Sequence, residues 1–189
     1  MSVKDMSERC ARVLVTSDCN RNCPYCVNEI GGLAGAQRVS YAEMMEALRY
    51  FGEVAVTGGE PMLDPPATAA FIAGAKMANP KIRVWLYTAW FEQRAIFNLL
   101  PMIDGLTFTL HGPVKDFDEG RLMLLQTMAP KWPVSFRLRI GPGVNSRLLI
   151  VPSRWSSIRS FGLGSEDCAL PENEVLYVLK EETYAQDKV

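Results

Sequence analysis

The chain has 189 residues, 48% hydrophobic and 22% charged, with a net charge of −1. That length fits one domain with a real core, and the composition is that of an ordinary soluble globular protein. The near-neutral balance gives no general attraction to nucleic acid or membrane, and no apolar run is long enough to span a bilayer. Residues 1–9 lack the apolar stretch of a secretion signal, so the expected compartment is the cytoplasm, where thiols stay reduced.

Short β-type runs alternate with helical stretches along the chain. The first run, 11–16, leads straight into a cysteine-rich segment, and a loop containing Gly31-Gly32-Leu33-Ala34-Gly35 follows. A helix is predicted from Ser40, because Ser40 and Glu43 form an S-x-x-E capping box and Met44, Ala47, Leu48 and Phe51 recur at helical spacing. A strand over 53–57 ends at Gly58-Gly59-Glu60-Pro61. Asp64 with Pro65 and Pro66 marks the next helix start, and Asn79-Pro80 its stop. Strands at 82–88, 106–110 and 134–140 alternate with helices at about 91–100 and 117–128. After Gly141-Pro142-Gly143 the pattern weakens until a late strand at 175–179. With no repeat or linker, the chain reads as a single domain over 1–189, with a core of about 10–143 and a C-terminal extension of about 144–189.

Strands separated by helices imply parallel βα units, in which working residues gather at the carboxyl ends of the strands. The expected fold is α/β, a partial (β/α)6 TIM-like barrel. Its rim would bring together the cysteine segment, Gly58-Gly59-Glu60, Thr88 and His111. Strand alternation sets Leu106, Phe108 and Leu110 against Thr107 and Thr109, and Phe136, Leu138 and Ile140 against Ser135, Arg137 and Arg139. In a barrel the apolar set would pack on outer helices and the polar set would line a lumen.

Five cysteines are present: Cys10, Cys19, Cys23, Cys26 and Cys168. An odd number with three crowded into one loop argues against a disulfide framework and for a metal or cluster site. A zinc site would want a fourth ligand, which Cys168 or His111 can supply. A [4Fe–4S] cube held by three thiolates would instead leave one iron open.

The spacing Cys19-x-x-x-Cys23-x-x-Cys26 just after an N-terminal strand, with Tyr25 before the last cysteine, resembles the motif of the radical S-adenosylmethionine (SAM) superfamily. Thr57-Gly58-Gly59-Glu60-Pro61 resembles that family's GGE segment. Tyr87-Thr88 resembles the start of a third-strand motif, although Ala89-Trp90 replaces the usual Asn-Gly, and Thr109-Leu110-His111-Gly112 resembles a fourth-strand motif. The resemblance spans about residues 11–143 and implies a compact radical SAM core. It implies that Cys19, Cys23 and Cys26 ligate a [4Fe–4S] cluster, that Tyr25 lies against the SAM adenine, and that Gly58, Gly59 and Glu60 hold the SAM amino group. It also implies an external one-electron donor such as flavodoxin or ferredoxin, and oxygen sensitivity. Thr88, Thr109, Arg137 and Arg139 are further candidates for SAM, with one arginine on its carboxylate and the other facing the substrate.

From Arg121 to Ser165 there are seven basic residues and no acidic ones, interleaved with Trp132, Phe136, Trp155 and Phe161. This pattern suits nucleotides or phosphates; alternatively, the acidic tail, including Glu166, Asp167, Glu172, Glu174, Glu181 and Glu182, folds over it. The short extension and the lack of a second cysteine cluster predict no auxiliary cluster and an open side. The favoured substrate is therefore a macromolecule, as for the glycyl-radical activating enzymes. A purine-like or phosphorylated metabolite, as for the 7-carboxy-7-deazaguanine synthases, is second. A non-catalytic zinc or iron–sulfur module is the alternative of a different class.

Overall fold

The computed structural model describes residues 8–21, 23, 26, 33, 35–112, 116–144, 148–162, 170 and 172–180. Tyr25, Arg147, Glu166, Asp167, Cys168, Glu181 and Glu182 lie outside the described residues, as does most of the glycine loop at 31–35.

Ser40 caps the first helix as its sequence predicts. Its hydroxyl accepts from the Glu43 N–H at 3.3 Å, and the Glu43 carboxylate accepts from the Ser40 N–H at 2.7 Å. Helix α1 (Tyr41–Leu48) follows. Asp64 caps α2 (Pro65–Ala78) by accepting from the Ala67 N–H at 2.9 Å, and Asn79 ends it, its amide donating to the Leu48 and Phe51 carbonyls. Helices α3 (Gln93–Leu99) and α4 (Asp116–Met128) complete the set among the described residues.

The strands are β1 (Cys10–Leu14), β2 (Gln37–Val39), β3 (Glu53–Thr57), β4 (Arg83–Thr88), β5 (Gly105–Leu110), β6 (Ser135–Ile140), β7 (Ser157–Ser160) and β8 (Glu174–Leu179). They form one all-parallel sheet in the order β2-β8-β1-β3-β4-β5-β6-β7. The sheet is open: β2 and β7 are its two edges. Neither edge strand is among the six predicted from sequence. They are short and mostly exposed, so they carry no apolar alternation to read. The late strand does form, and it returns to the far side of the sheet, between β1 and β2. The extension beyond residue 143 thus adds two strands, one at an edge and one inside the sheet.

Register sorts the side chains onto two faces. Val13 pairs with Val56, Val56 with Leu86, Leu86 with Leu106 and Leu106 with Phe136. This apolar face forms one core with Met44 and Leu48 of α1, Phe71 and Ile72 of α2, Ile96 and Leu99 of α3, and Leu122 and Leu125 of α4. Burying each such large side chain contributes about 1.5–3 kcal/mol. The opposite face carries the polar row Tyr87, Thr107 and Arg137, and one step nearer the rim the pair Thr109 and Arg139. The expected alternation of Thr107 and Thr109 against Leu106, Phe108 and Leu110 is therefore observed.

Two of the aromatic residues among the basic ones do not serve that stretch. Phe136 and Trp155 are buried in the helix-side core. Phe136 is simply in the apolar phase of its strand. Of the acidic residues expected to cover the stretch, Glu174 pairs instead with Arg12 across β1 and β8.

Candidate functional site

Beyond β1 the chain does not leave the sheet at once. The Val15 N–H donates to the Thr57 carbonyl at 2.9 Å, the Gly59 N–H to Thr16 at 2.8 Å and the Glu60 N–H to Asp18 at 2.6 Å. This parallel ladder carries the chain to Cys19 while holding it against Gly58 and Gly59. The two glycines have no room for a side chain. A Cβ on Gly58 would lie 2.5 Å from the Thr16 carbonyl oxygen, and one on Gly59 would lie 2.1 Å from that of Asp18. The close approach that the GGE segment serves here is thus to the chain's own cysteine loop.

Within the loop, the Arg21 N–H points at Cys19 Sγ at 3.4 Å, and the Cys26 N–H donates to the Cys23 carbonyl at 3.0 Å. The Arg21 guanidinium leaves the loop to grip Asp118 of α4 through both carboxylate oxygens, and donates to the Ala89 carbonyl at 3.1 Å. Asp118 is only 1% exposed. This clamp ties the cysteine loop to α4 and to the end of β4. Sequence reasoning assigned no role to either residue; the only signal was a basic residue placed inside the cysteine spacing. Truncating one partner of a buried pair strands the other charge, at about 3–5 kcal/mol. Asp118→Ala should therefore lower the melting temperature by roughly 10 °C, and adding Arg21→Met should recover part of the loss. If the single variant melts like the parent, the clamp is not holding the loop.

Glu60 follows the glycines and turns inward, to 2% exposure. Its carboxylate accepts from the Met62 N–H at 3.0 Å, the Thr88 hydroxyl at 2.6 Å and the Ala89 N–H at 2.8 Å. Burial holds the carboxyl above its ordinary pKa, against the pull of the Thr88 and backbone hydrogen bonds. By register Thr88 lies beside Phe108 on the helix-covered face, so its contact with the rim runs through Glu60.

His111, just past β5, places Nδ1 3.5 Å from Cys23 Sγ, and its ring meets Phe161 edge-on. Burial pushes its pKa down to about 4, with Arg21 and Arg139 adding to the effect. The imidazole is therefore neutral near pH 7. Arg139 stacks on Phe161 at 4.9 Å. Thr109 is half-buried beside Arg139, and Arg137 lies one row deeper. The structure thus gathers the cysteine loop, Gly58–Glu60, Thr88 and His111 at one rim. Tyr25 lies outside the described residues.

The donor set fits an iron–sulfur cluster. Cys19, Cys23 and Cys26 are thiols outside any disulfide, on one braced loop at a strand end and partly open to solvent. A cube takes its thiolates at separate irons, and three thiolates on one loop suit it. A family model described as a 4Fe-4S single cluster domain matches residues 8–122. The chain belongs to this 4Fe-4S family. An iron–sulfur cluster is thus the group expected of the domain, and the matched span runs from β1 into α4. No curated protein matches the chain. Among solved structures, BtrN in complex with AdoMet and 2-DOIA is similar at 20% identity with a TM-score of 0.52, covering 82% of this chain and 70% of that one. The selenomethionine form of BtrN in an open conformation is similar at 20% identity with a TM-score of 0.47, covering 82% and 65%. The first of these shares the fold. No helix among the described residues is long and apolar enough to cross a membrane.

Proposed function

We propose that this chain is a radical SAM enzyme in which Cys19, Cys23 and Cys26 hold three irons of a [4Fe–4S] cluster and SAM takes the fourth. The observation that carries the reading is the ladder that fixes the cysteine loop against Gly58-Gly59-Glu60, which sets three thiols and the Glu60 carboxylate side by side. Membership of the 4Fe-4S family supports the cluster, and the likeness in fold to a BtrN complex containing AdoMet supports SAM. A reduced cluster held by these three cysteines would supply one electron for reductive cleavage of SAM to methionine and a 5′-deoxyadenosyl radical.

The chain's own residues then bind and orient. Glu60 provides negative charge for the SAM ammonium, and Thr88 positions Glu60. Tyr25 flanks the adenine, and Thr109 with Arg139 meets the SAM carboxylate. Arg21 and Asp118 keep the cysteine loop in register with the rim. An external donor such as flavodoxin or ferredoxin delivers the electron. The substrate is a macromolecule admitted at the open side of the sheet, with a purine-like or phosphorylated metabolite as the second reading.

Anaerobic incubation with dithionite and SAM should release 5′-deoxyadenosine. A brown protein that yields none would be a non-catalytic iron–sulfur module. Replacing Cys19, Cys23 or Cys26 by Ser should abolish the product, whereas Cys10→Ser and Cys168→Ser should retain full iron. Loss of about one quarter or more of the iron in Cys168→Ser would reveal a fourth cysteine ligand and close the position that SAM needs.

A further inference from the structure

The polar face of the sheet holds two buried polar groups away from the cysteine loop. Trp85 is 6% exposed and Thr107 is 1% exposed, yet Trp85 Nε1 and Thr107 Oγ1 have no hydrogen-bond partner. A buried donor without an acceptor is costly, and most buried polar side chains avoid it. The two residues stand on the same face of adjacent strands. The Trp85 ring packs against Gly105, where a Cβ would come within 2.2 Å of it, and Thr107 is two residues further along that strand on the same face.

Arg137 completes the group. Its guanidinium covers the Trp85 ring at 3.4 Å from the centroid. Arg12, on the same face, stacks on Tyr87 but also pairs with Glu174. Among the described residues Arg137 has no such carboxylate. A half-buried guanidinium stacked on an indole, with two idle buried donors beside it, is a receptor short of an anionic acceptor. Arg139 is less suited to that acceptor, because it stands one row nearer the rim and acts electrostatically on His111, which touches Cys23.

We infer that Trp85, Thr107 and Arg137 form the seat for an oxyanion of the substrate, a carboxylate or a phosphate, one row below the SAM site. This deepens the radical SAM reading and rests on it for the word substrate, though not for the site itself. Arg137 is then the substrate arginine and Arg139 the SAM arginine.

The test reads the indole N–H signals of the four tryptophans by NMR in anaerobically reconstituted protein without SAM, the Trp85 signal being assigned with Trp85→Phe. Inorganic phosphate and malonate are titrated separately, so the two arms tell phosphate from carboxylate. At least one should move the Trp85 signal saturably. Arg137→Ala should weaken that response at least about tenfold, the loss of a charge-assisted pair. Arg139→Ala should keep it and lose SAM affinity, and the exposed Arg159→Ala should keep both. Thr107→Val should also weaken the response, yet leave the anion-free protein at least as heat-stable, since it removes a hydroxyl with no partner. No saturable movement with either anion, a response indifferent to Arg137→Ala, or a lower melting point for Thr107→Val would each overturn the seat. A Trp85 response in a protein that makes no 5′-deoxyadenosine would keep the seat and defeat the radical SAM reading alone.

Discussion

Gly59→Ala should empty the cluster site. The added Cβ would meet the carbonyl oxygens of Asp18 and Ser17 at 2.1 and 2.5 Å. Both are backbone atoms, so no rotamer change relieves the clash. The ladder from Thr16 to Asp18 must open, and with it goes the path that delivers Cys19. Overpacking of this kind costs about 1–3 kcal/mol, and more where the neighbour cannot yield. The rest of the sheet does not depend on those two bonds, so the variant should fold and fail to retain most of its iron after anaerobic reconstitution. Gly58→Ala, whose nearest contact is 2.5 Å, should be the milder of the two. Gly120→Ala is the control. It lies exposed within α4 with nothing inside 4 Å, so it should hold full iron and gain about 0.5–1 kcal/mol of helix stability. Normal iron in Gly59→Ala would show that the loaded loop does not run along this ladder.

The limits of the sequence reading are physical. The Ser40–Glu43 box, the alternation of Thr107 and Arg137 against Leu106 and Phe136, and the nearness of the cysteine loop to Gly58-Gly59-Glu60 were all legible, because each follows from local spacing or from strand order in a parallel sheet. The glycine pair announced a close approach without saying what approaches. Only the register between β1 and β3 names Asp18 as the neighbour. Arg21 and Asp118 lie 97 residues apart, and a buried ion pair leaves no periodic trace. β2 and β7 were missed because an exposed edge strand of three or four residues has no apolar phase. The aromatics of the basic run divide between the core and the arginines. Phe136 and Trp155 sit among arginines in sequence, but the core takes them. Among the described residues the run's arginines stack mostly on aromatics from outside it: Arg121 on Trp90 and Phe91, and Arg137 on Trp85, with only Arg139 on Phe161 staying inside.

Glu60→Gln should reduce stability and SAM affinity together, for separable reasons. Both carboxylate oxygens accept from backbone N–H groups, Oε1 from Met62 and Oε2 from Ala89. An amide has one oxygen, so in either orientation its NH2 faces an N–H donor and one buried donor is stranded. That costs about 1–3 kcal/mol, seen as a drop of several degrees in the melting temperature. The lost charge should weaken SAM binding by about tenfold to a hundredfold, as a charge-assisted bond to the ammonium becomes a neutral one. Thr88→Val separates the two effects. It removes the hydroxyl that donates to Oε1 while leaving the carboxylate and its backbone donors in place. It should melt lower, yet bind SAM nearly as the parent does. If Thr88→Val loses as much SAM affinity as Glu60→Gln, then Glu60 acts by bracing the rim rather than by charge. If Glu60→Gln binds SAM normally once loaded with iron, the ammonium is held elsewhere, and the carboxylate serves only to tie the GGE turn to the end of β4.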